Sequence, residues 1–373
     1  MKLYPFLTCV FLSMALVPMT DVMATEVAHD SVKSPGGLAL TAFDRVGARQ
    51  VGGYFDTEWQ SGESADSFIA HRFVLDVSSQ VHPRILVNAE LEFEYGGDPS
   101  NSGEIKIEQA WVDYKINTVA TVRTGIVVVP FGRINVLHDS DVRELTDRSL
   151  YARYILPTTW SDTGIGVHGN FDVSDEAVMD YSVYVLNGLS GTTNATTGIR
   201  GMRPNFKTDN NKNKAIVTRV GYSPFLGLNT GVSLYNGKYD ADEKLNLNML
   251  GFDVAWKSGP FYAVSEWAQV NADASASNPT AMNGFYLEGG YTFFPDFFKN
   301  TFLDEDFANP TFTLFGRYGQ ASLDTSSTAA ASNPKRTTVG MNYRPTATTV
   351  FKLEYQMNES AENVMLGSVA VGF

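Results

Sequence analysis

From Ile85 the chain alternates strictly: Ile85, Val87, Ala89, Leu91, Phe93 and Tyr95 are apolar or aromatic, and Asn88, Glu90, Glu92 and Glu94 between them are polar. A period of two held over about eleven residues is the mark of a β-strand with one face in an apolar medium and the other in a polar one. Near the other end Phe351, Leu353, Tyr355 and Met357 alternate with Lys352, Glu354, Gln356 and Asn358. Less cleanly, the period recurs between them. Val339, Met341 and Tyr343 stand against Thr338, Gly340, Asn342 and Arg344; Leu250, Phe252, Val254 and Trp256 against Asp253 and Ala255; and Phe285, Leu287, Gly289, Tyr291 and Phe293 against Glu288. One segment changes phase. Ile105 and Ile107 are odd, but Ala110, Val112, Tyr114 and Ile116 are even, which predicts either a bulge near Glu108-Gln109 or a loop stem continuing beyond the membrane.

The breaks between these segments alternate in length. Longer polar ones fall near residues 60–67, 96–103, 130–160, 187–214, 236–246, 271–283, 321–334 and 358–362; shorter ones near 78–84, 117–118, 172–177, 224–227, 258–260 and 345–346. Only 295–309 is long where a short one is due. Short turns at one end and long loops at the other are the habit of outer-membrane barrels. Counting segments predicts an all-β, transmembrane antiparallel β-barrel of about 16 strands, with both chain ends on the periplasmic side. Beyond the amino terminus no apolar run is long enough for a membrane helix, and a closed barrel is the other way across.

At the amino terminus Lys2 precedes an apolar run, Leu3 to Val17, and Val22-Met23-Ala24 offers a cleavage site. We therefore expect a signal peptide over residues 1–24, a short periplasmic leader over 25–49 and the barrel over 50–373. The only cysteine, Cys9, lies in the signal segment, so the mature chain has neither disulfides nor thiolate metal sites. A net charge of −13 disfavours binding to nucleic-acid phosphates. The last residues, Met365, Gly367, Val369, Val371 and Phe373, alternate and end on an aromatic. A carboxyl-terminal Phe on such a strand resembles the assembly signal that the barrel assembly machinery of a Gram-negative bacterium recognises.

Charge then assigns the two faces. A lysine or arginine facing lipid near the midplane costs about 2–4 kcal/mol. Glu90, Glu92, Glu94, Asp113, Arg219, Glu288, Arg344, Lys352 and Glu354 are thus expected to line a lumen, and a wet one, because unpaired buried charge is not tolerated. A wet lumen in a barrel of this size is a channel. A soluble β-sandwich would alternate too, but rarely uses so many strands as one domain.

The stretch Pro130–Trp160 is the third long break. In large porins that loop folds inward and narrows the channel. Arg133, Arg143, Arg148 and Arg153 are mixed here with Asp139, Asp141, Glu144 and Asp147, and opposed charges across a constriction select among permeating solutes. Tyr151, Tyr154, Ile155 and Leu156 are placed to seat such a loop against the wall. Gly125, Pro130-Phe131-Gly132, Asp147-Arg148-Ser149-Leu150, Leu156-Pro157-Thr158-Thr159-Trp160 and Gly164-Ile165-Gly166-Val167-His168-Gly169 together resemble the phosphate-selective porin family, porins O and P, and its relatives. The resemblance implies an outer-membrane diffusion channel, commonly a homotrimer, carrying small hydrophilic solutes or ions without a cofactor or metal. Phosphate specialists line the lumen with arginine and lysine, whereas these strands project Glu90, Glu92 and Glu94, so phosphate selectivity is not part of what is expected.

An enzyme is not expected. No Gly-x-Ser-x-Gly elbow is present, and consecutive His138-Asp139-Ser140 cannot converge as a triad. From another class, the competing function is a closed structural or adhesive barrel acting through its outer loops.

Overall fold

The computed structural model describes residues 49–63, 66–274, 278–324 and 333–373, preceded by the backbone of two short strands, β1 (Ser31–Lys33) and β2 (Ala39–Thr41). The expected signal segment and the rest of the leader lie outside the described residues. β1 and β2 pair with each other and not with the sheet that follows.

Sixteen strands then form a closed barrel. They are β3 (Arg49–Ser61), β4 (Asp66–His82), β5 (Ile85–Glu94), β6 (Glu104–Lys115), β7 (Thr121–Val128), β8 (Ser161–Asp172), β9 (Val178–Leu186) and β10 (Ala215–Phe225). The second half comprises β11 (Leu228–Lys238), β12 (Asn246–Ser258), β13 (Phe261–Ala272), β14 (Ala281–Phe293), β15 (Thr311–Ser322), β16 (Lys335–Thr346), β17 (Thr349–Asn358) and β18 (Val364–Gly372). Each pairs antiparallel with its sequence neighbours, and β18 closes on β3 with Met365 opposite Ser61 and Val371 opposite Phe55. Closure leaves no edge, so the ladder satisfies the backbone groups at membrane depth. The expected strand number and the alternation of loop lengths both stand.

The phase change in β6 is a bulge. Glu90 pairs with Gln109 and Leu91 with Ile107, leaving Glu108 without a partner in the ladder. The extra residue turns both Glu108 and Gln109 into the lumen, where they are buried. Outward positions behave as the alternation predicts: Leu287 is 56% exposed and Leu353 50%, whereas inward Glu90 and Glu354 are 2% exposed. Such an outer face is stable only against hydrocarbon, since apolar surface left in water forgoes about 25 cal/mol per Å².

The inner face departs from expectation. It is not polar throughout, because toward the long loops of β9–β15 the inward positions are apolar as well, among them Leu186, Val217, Tyr235, Met249, Val270 and Met282. These residues form one buried core with Phe131, Tyr151, Ile155, Leu156 and Trp160 of the connection between β7 and β8. On these strands both parities are apolar, one covered by lipid and the other by protein. The unusually long break is also real. Residues 294–310 join β14 to β15 at the end where β10–β11, β12–β13 and β16–β17 are joined by two residues each.

Candidate functional site: the insert in the barrel

The chain leaves β7 at Val128 and returns at Ser161, so the insert spans residues 129–160. Its two ends are tied by Asn135, whose side-chain amide donates to Val129 O (2.8 Å) and Trp160 O (2.9 Å) while its oxygen accepts from Trp160 N (2.9 Å). Gly132 turns the chain with φ +68°, and a Cβ there would lie 2.7 Å from Glu266 Oε2. That close approach lets Gly132 N donate to Ser233 Oγ (3.0 Å). The next two amides, Arg133 N and Ile134 N, both donate to the Glu266 carboxylate at 2.9 and 2.7 Å. Tyr286 Oη donates to the same carboxylate at 2.8 Å.

The far half is held by β16, β17 and β18. Thr146 N donates to Glu354 (2.8 Å) and its hydroxyl meets Ser368 Oγ at 2.9 Å. Lys352 Nζ donates to Ser140 O (2.6 Å), Asn342 to Glu144 Oε2 (2.6 Å) and Arg344 to Asp141 O (2.9 Å). Arg336 pairs with Asp147 at 2.6 Å, and Arg317 of β15 donates to Asp147 O. The Asp-Arg-Ser-Leu element then opens a short α-helix, α1 (Leu150–Tyr154), capped by Ser149 Oγ accepting from Ala152 N. Arg148 folds back to donate to Thr158 O (2.8 Å) and Thr159 Oγ1. From the loop between β9 and β10, Arg200 and Arg203 donate to Thr158 O and Thr159 O.

His138 anchors the insert to the bulge. It is fully buried, its Nδ1 against Asn135 O (2.8 Å) and its Nε2 in contact with Glu108. Burial alone would lower its pKa; the Glu108 charge, with that of Asp139, overrides this and raises it. Burial pushes Asp139 up to about 7, with the acids Asp141 and Glu108 adding to the effect and His138 opposing it.

Of the residues expected at a constriction, Arg133, Asp139, Arg143 and Glu144 are largely buried, and Arg143 donates to Thr146 O (2.7 Å) and Ser140 Oγ. Arg153 is exposed over the Tyr154 ring. The expected wall residues face inward, but several are paired and buried rather than bathed. Glu92 meets Arg72 (2.9 Å) and Lys106 (2.6 Å), Glu94 meets Arg72 (3.0 Å), and Glu90 accepts from Gln109. Asp113 pairs with Arg123 (2.7 Å), Arg219 with Asp253 (2.5 Å) and Glu288 with Arg317 (3.3 Å). The partners come from neighbouring strands, which is why a count along one strand saw only acid. Glu266, Asp253, Arg72, Arg123, Arg317 and Arg336 are the site residues that sequence reasoning missed.

What remains is a bias in charge. The acids Glu144 and Asp147 of the insert have cationic partners, whereas among the described residues Arg143, Arg148, Arg153, Arg200 and Arg203 have no carboxylate within ion-pair distance. One other cluster has the donor types of a metal site. Asp56, Glu58 and His71 have ligand atoms within 4.8 Å of one another. There His71 Nδ1 lies 2.9 Å from each carboxylate and Arg72 Nη2 lies 3.2 Å from Nε2. A metal on Nδ1 would leave an N–H on Nε2 facing that guanidinium, so the geometry is that of a clamped imidazole.

A closed sixteen-stranded barrel with an apolar outer band and a charged interior is the architecture of an outer-membrane porin. The chain belongs to the phosphate-selective porin O and P family, whose profile matches residues 51–365. It is 25% identical over 341 residues to an uncharacterized protein of Aquifex aeolicus (strain VF5), covering 82% of this chain and 74% of that one. Similar solved structures include Salmonella typhi OmpF in complex with daunomycin, with TM-score 0.61 and 9% identity over 89% of this chain and 99% of that one. The trimer form of Vibrio cholerae OmpT has TM-score 0.58 and 11% identity over 88% and 100%. The anion-selective porin from Comamonas acidovorans has TM-score 0.56 and 11% identity over 87% and 99%. The protein is therefore an outer-membrane channel of a Gram-negative cell envelope.

Proposed function

We propose that this porin is a passive diffusion channel for small hydrophilic solutes, narrowed by residues 130–160 and preferring anions. The observation that carries the sign is the charge bias: the acids of the insert and wall are largely paired, while five arginines around Thr158-Thr159 and Ser140 are held by carbonyl and hydroxyl groups or left exposed. Hydrogen bonds to neutral acceptors position a guanidinium without cancelling its charge. With a screening length of about 8 Å in physiological salt, the nearest such ring dominates a passing ion. Reversal potentials of the purified protein in a salt gradient across a planar bilayer test this. A cation preference would refute the sign, and no stepwise conductance from heat-modifiable barrel would refute the channel.

A closed, adhesive or structural barrel is the second reading, favoured by the internal core in which Phe131, Tyr151 and Trp160 are wholly buried. Silent bilayers would select it. We also propose a homotrimer, as in the trimer form of the Vibrio protein, to be read from the mass of the detergent-solubilised particle. Cleavage after Ala24 and assembly through Phe373 complete the proposal, and an intact mass beginning at Thr25 is the expected result for the first.

A further inference from the structure

We propose that the connection 294–310 is a foot that seats the barrel in the headgroup–acyl boundary of the inner phospholipid leaflet. At the short-turn end of the barrel, Phe293, Phe312, Tyr343 and Phe351 occupy directly opposed positions on β14, β15, β16 and β17. All four share the outward parity of Leu287, Leu314, Met341 and Leu353, so they form an aromatic row on the lipid side. The connection folds outward over this row and not across the bore. Phe298 stacks on Phe312 with ring centres 5.5 Å apart, Phe294 lies 5.9 Å from the same ring, and Tyr343 Oη donates to Leu303 O at 2.6 Å. Phe312 is only 7% exposed, although its outward neighbour Leu314 is 49% exposed.

The segment is internally bonded, with Asn300 N donating to Asp304 Oδ2 and Glu305 N to Thr301 O. On that firm support Phe297 and Phe302 are 76% and 78% exposed. Two fully presented phenylalanines are unfavourable in water and favourable beside the hydrocarbon that the neighbouring row already touches. Asp296, Lys299, Glu305 and Asp306 on the same connection suit the hydrated headgroup level. Continuity with the lipid-facing band is the reason to assign phospholipid as the occupant.

Spin labels test the proposal. On a Cys9→Ala background, which holds no other cysteine, labels are placed by Phe297→Cys or Phe302→Cys, with Leu287→Cys as the lipid reference and Asp242→Cys, in an outer loop, as the water reference. In phosphatidylethanolamine–phosphatidylglycerol vesicles, both test labels are expected to collide with oxygen in preference to a nickel chelate, as at 287. Nickel collisions matching those at 242 would overturn the proposal. So would loss of both collisions with dipolar broadening between labels, since that would assign the surface to a second copy. Should one variant fail to give a heat-modifiable barrel, the other supplies the same reading, since Phe297 and Phe302 lie on the same connection and neither change touches Phe298 or Phe312.

Discussion

Replacing Glu266 by Ala removes the acceptor for two backbone amides, Arg133 N and Ile134 N, and for the Tyr286 hydroxyl. Leaving a buried amide without its acceptor costs about 1–3 kcal/mol, so the two amides alone account for about 2–6 kcal/mol of attachment. That weakens docking of the 130–134 segment by a factor of about 30 to 10⁴, before any relaxation or water entry reduces it. The barrel itself stands, because β13 keeps its full ladders to β12 and β14. The far half of the insert also stays, held by Glu354, Asn342 and Lys352. One end of the insert therefore frays while the other remains fixed. In single-channel recordings Glu266→Ala should raise open-channel noise and conductance, with Glu266→Gln intermediate because its amide keeps one acceptor oxygen. Native noise, conductance and reversal potential in a heat-modifiable Ala variant would refute the idea that this carboxylate holds the insert.

Arg148→Ala and Arg200→Ala should each shift the reversal potential toward cations, and an unchanged value in both would remove the arginines from the filter. His138 lies above its ordinary value of 6.5, and Asp139 is pushed up from 3.8 to about 7. Because both are raised on folding, their contribution is fully present at acidic pH and is lost as pH rises, for Asp139 between 3.8 and about 7 and for His138 above 6.5. Channel noise should therefore grow on going from about pH 5 to about pH 8, and His138→Gln should flatten the upper part of that curve. Phe373 exchanges two backbone hydrogen bonds with Gly53 and stacks on Phe73 at 6.0 Å. Deleting it should cost refolded barrel only about 1–3 kcal/mol while sharply lowering the yield in cells. Equal losses in cells and in detergent refolding would refute an assembly role.

The barrel was legible because its outer face has a single solvent. Most outward residues share one apolar surrounding, so Leu287, Leu353 and Phe351 could be read one strand at a time, and even the bulge at Glu108 appeared as a change of phase. The interior has no single solvent. Glu92 reads as a free lumenal acid until Arg72 and Lys106 are brought beside it from two other strands. In β13 the run Tyr262, Val264, Ala268 and Val270 shares its inward parity with the lone Glu266, and Trp267 lies on the other face. A carboxylate isolated among apolar neighbours was the one local sign that it serves a particular partner. The identity of that partner, a turn 132 residues away, was not in the local pattern.

The internal core also bears on how the molecule is made. The insert emerges between β7 and β8, yet Thr146 meets Glu354 and Ser368, 208 and 222 residues later. Its seat is thus completed by the same strands that close the barrel on β3. Contacts so distant in sequence form late, because the connecting chain must first surrender its freedom. Until β17 and β18 arrive, Ser140 and Thr146 lack the partners that fix the far half of the insert. Sealing the wall and seating the loop are then two aspects of one last step.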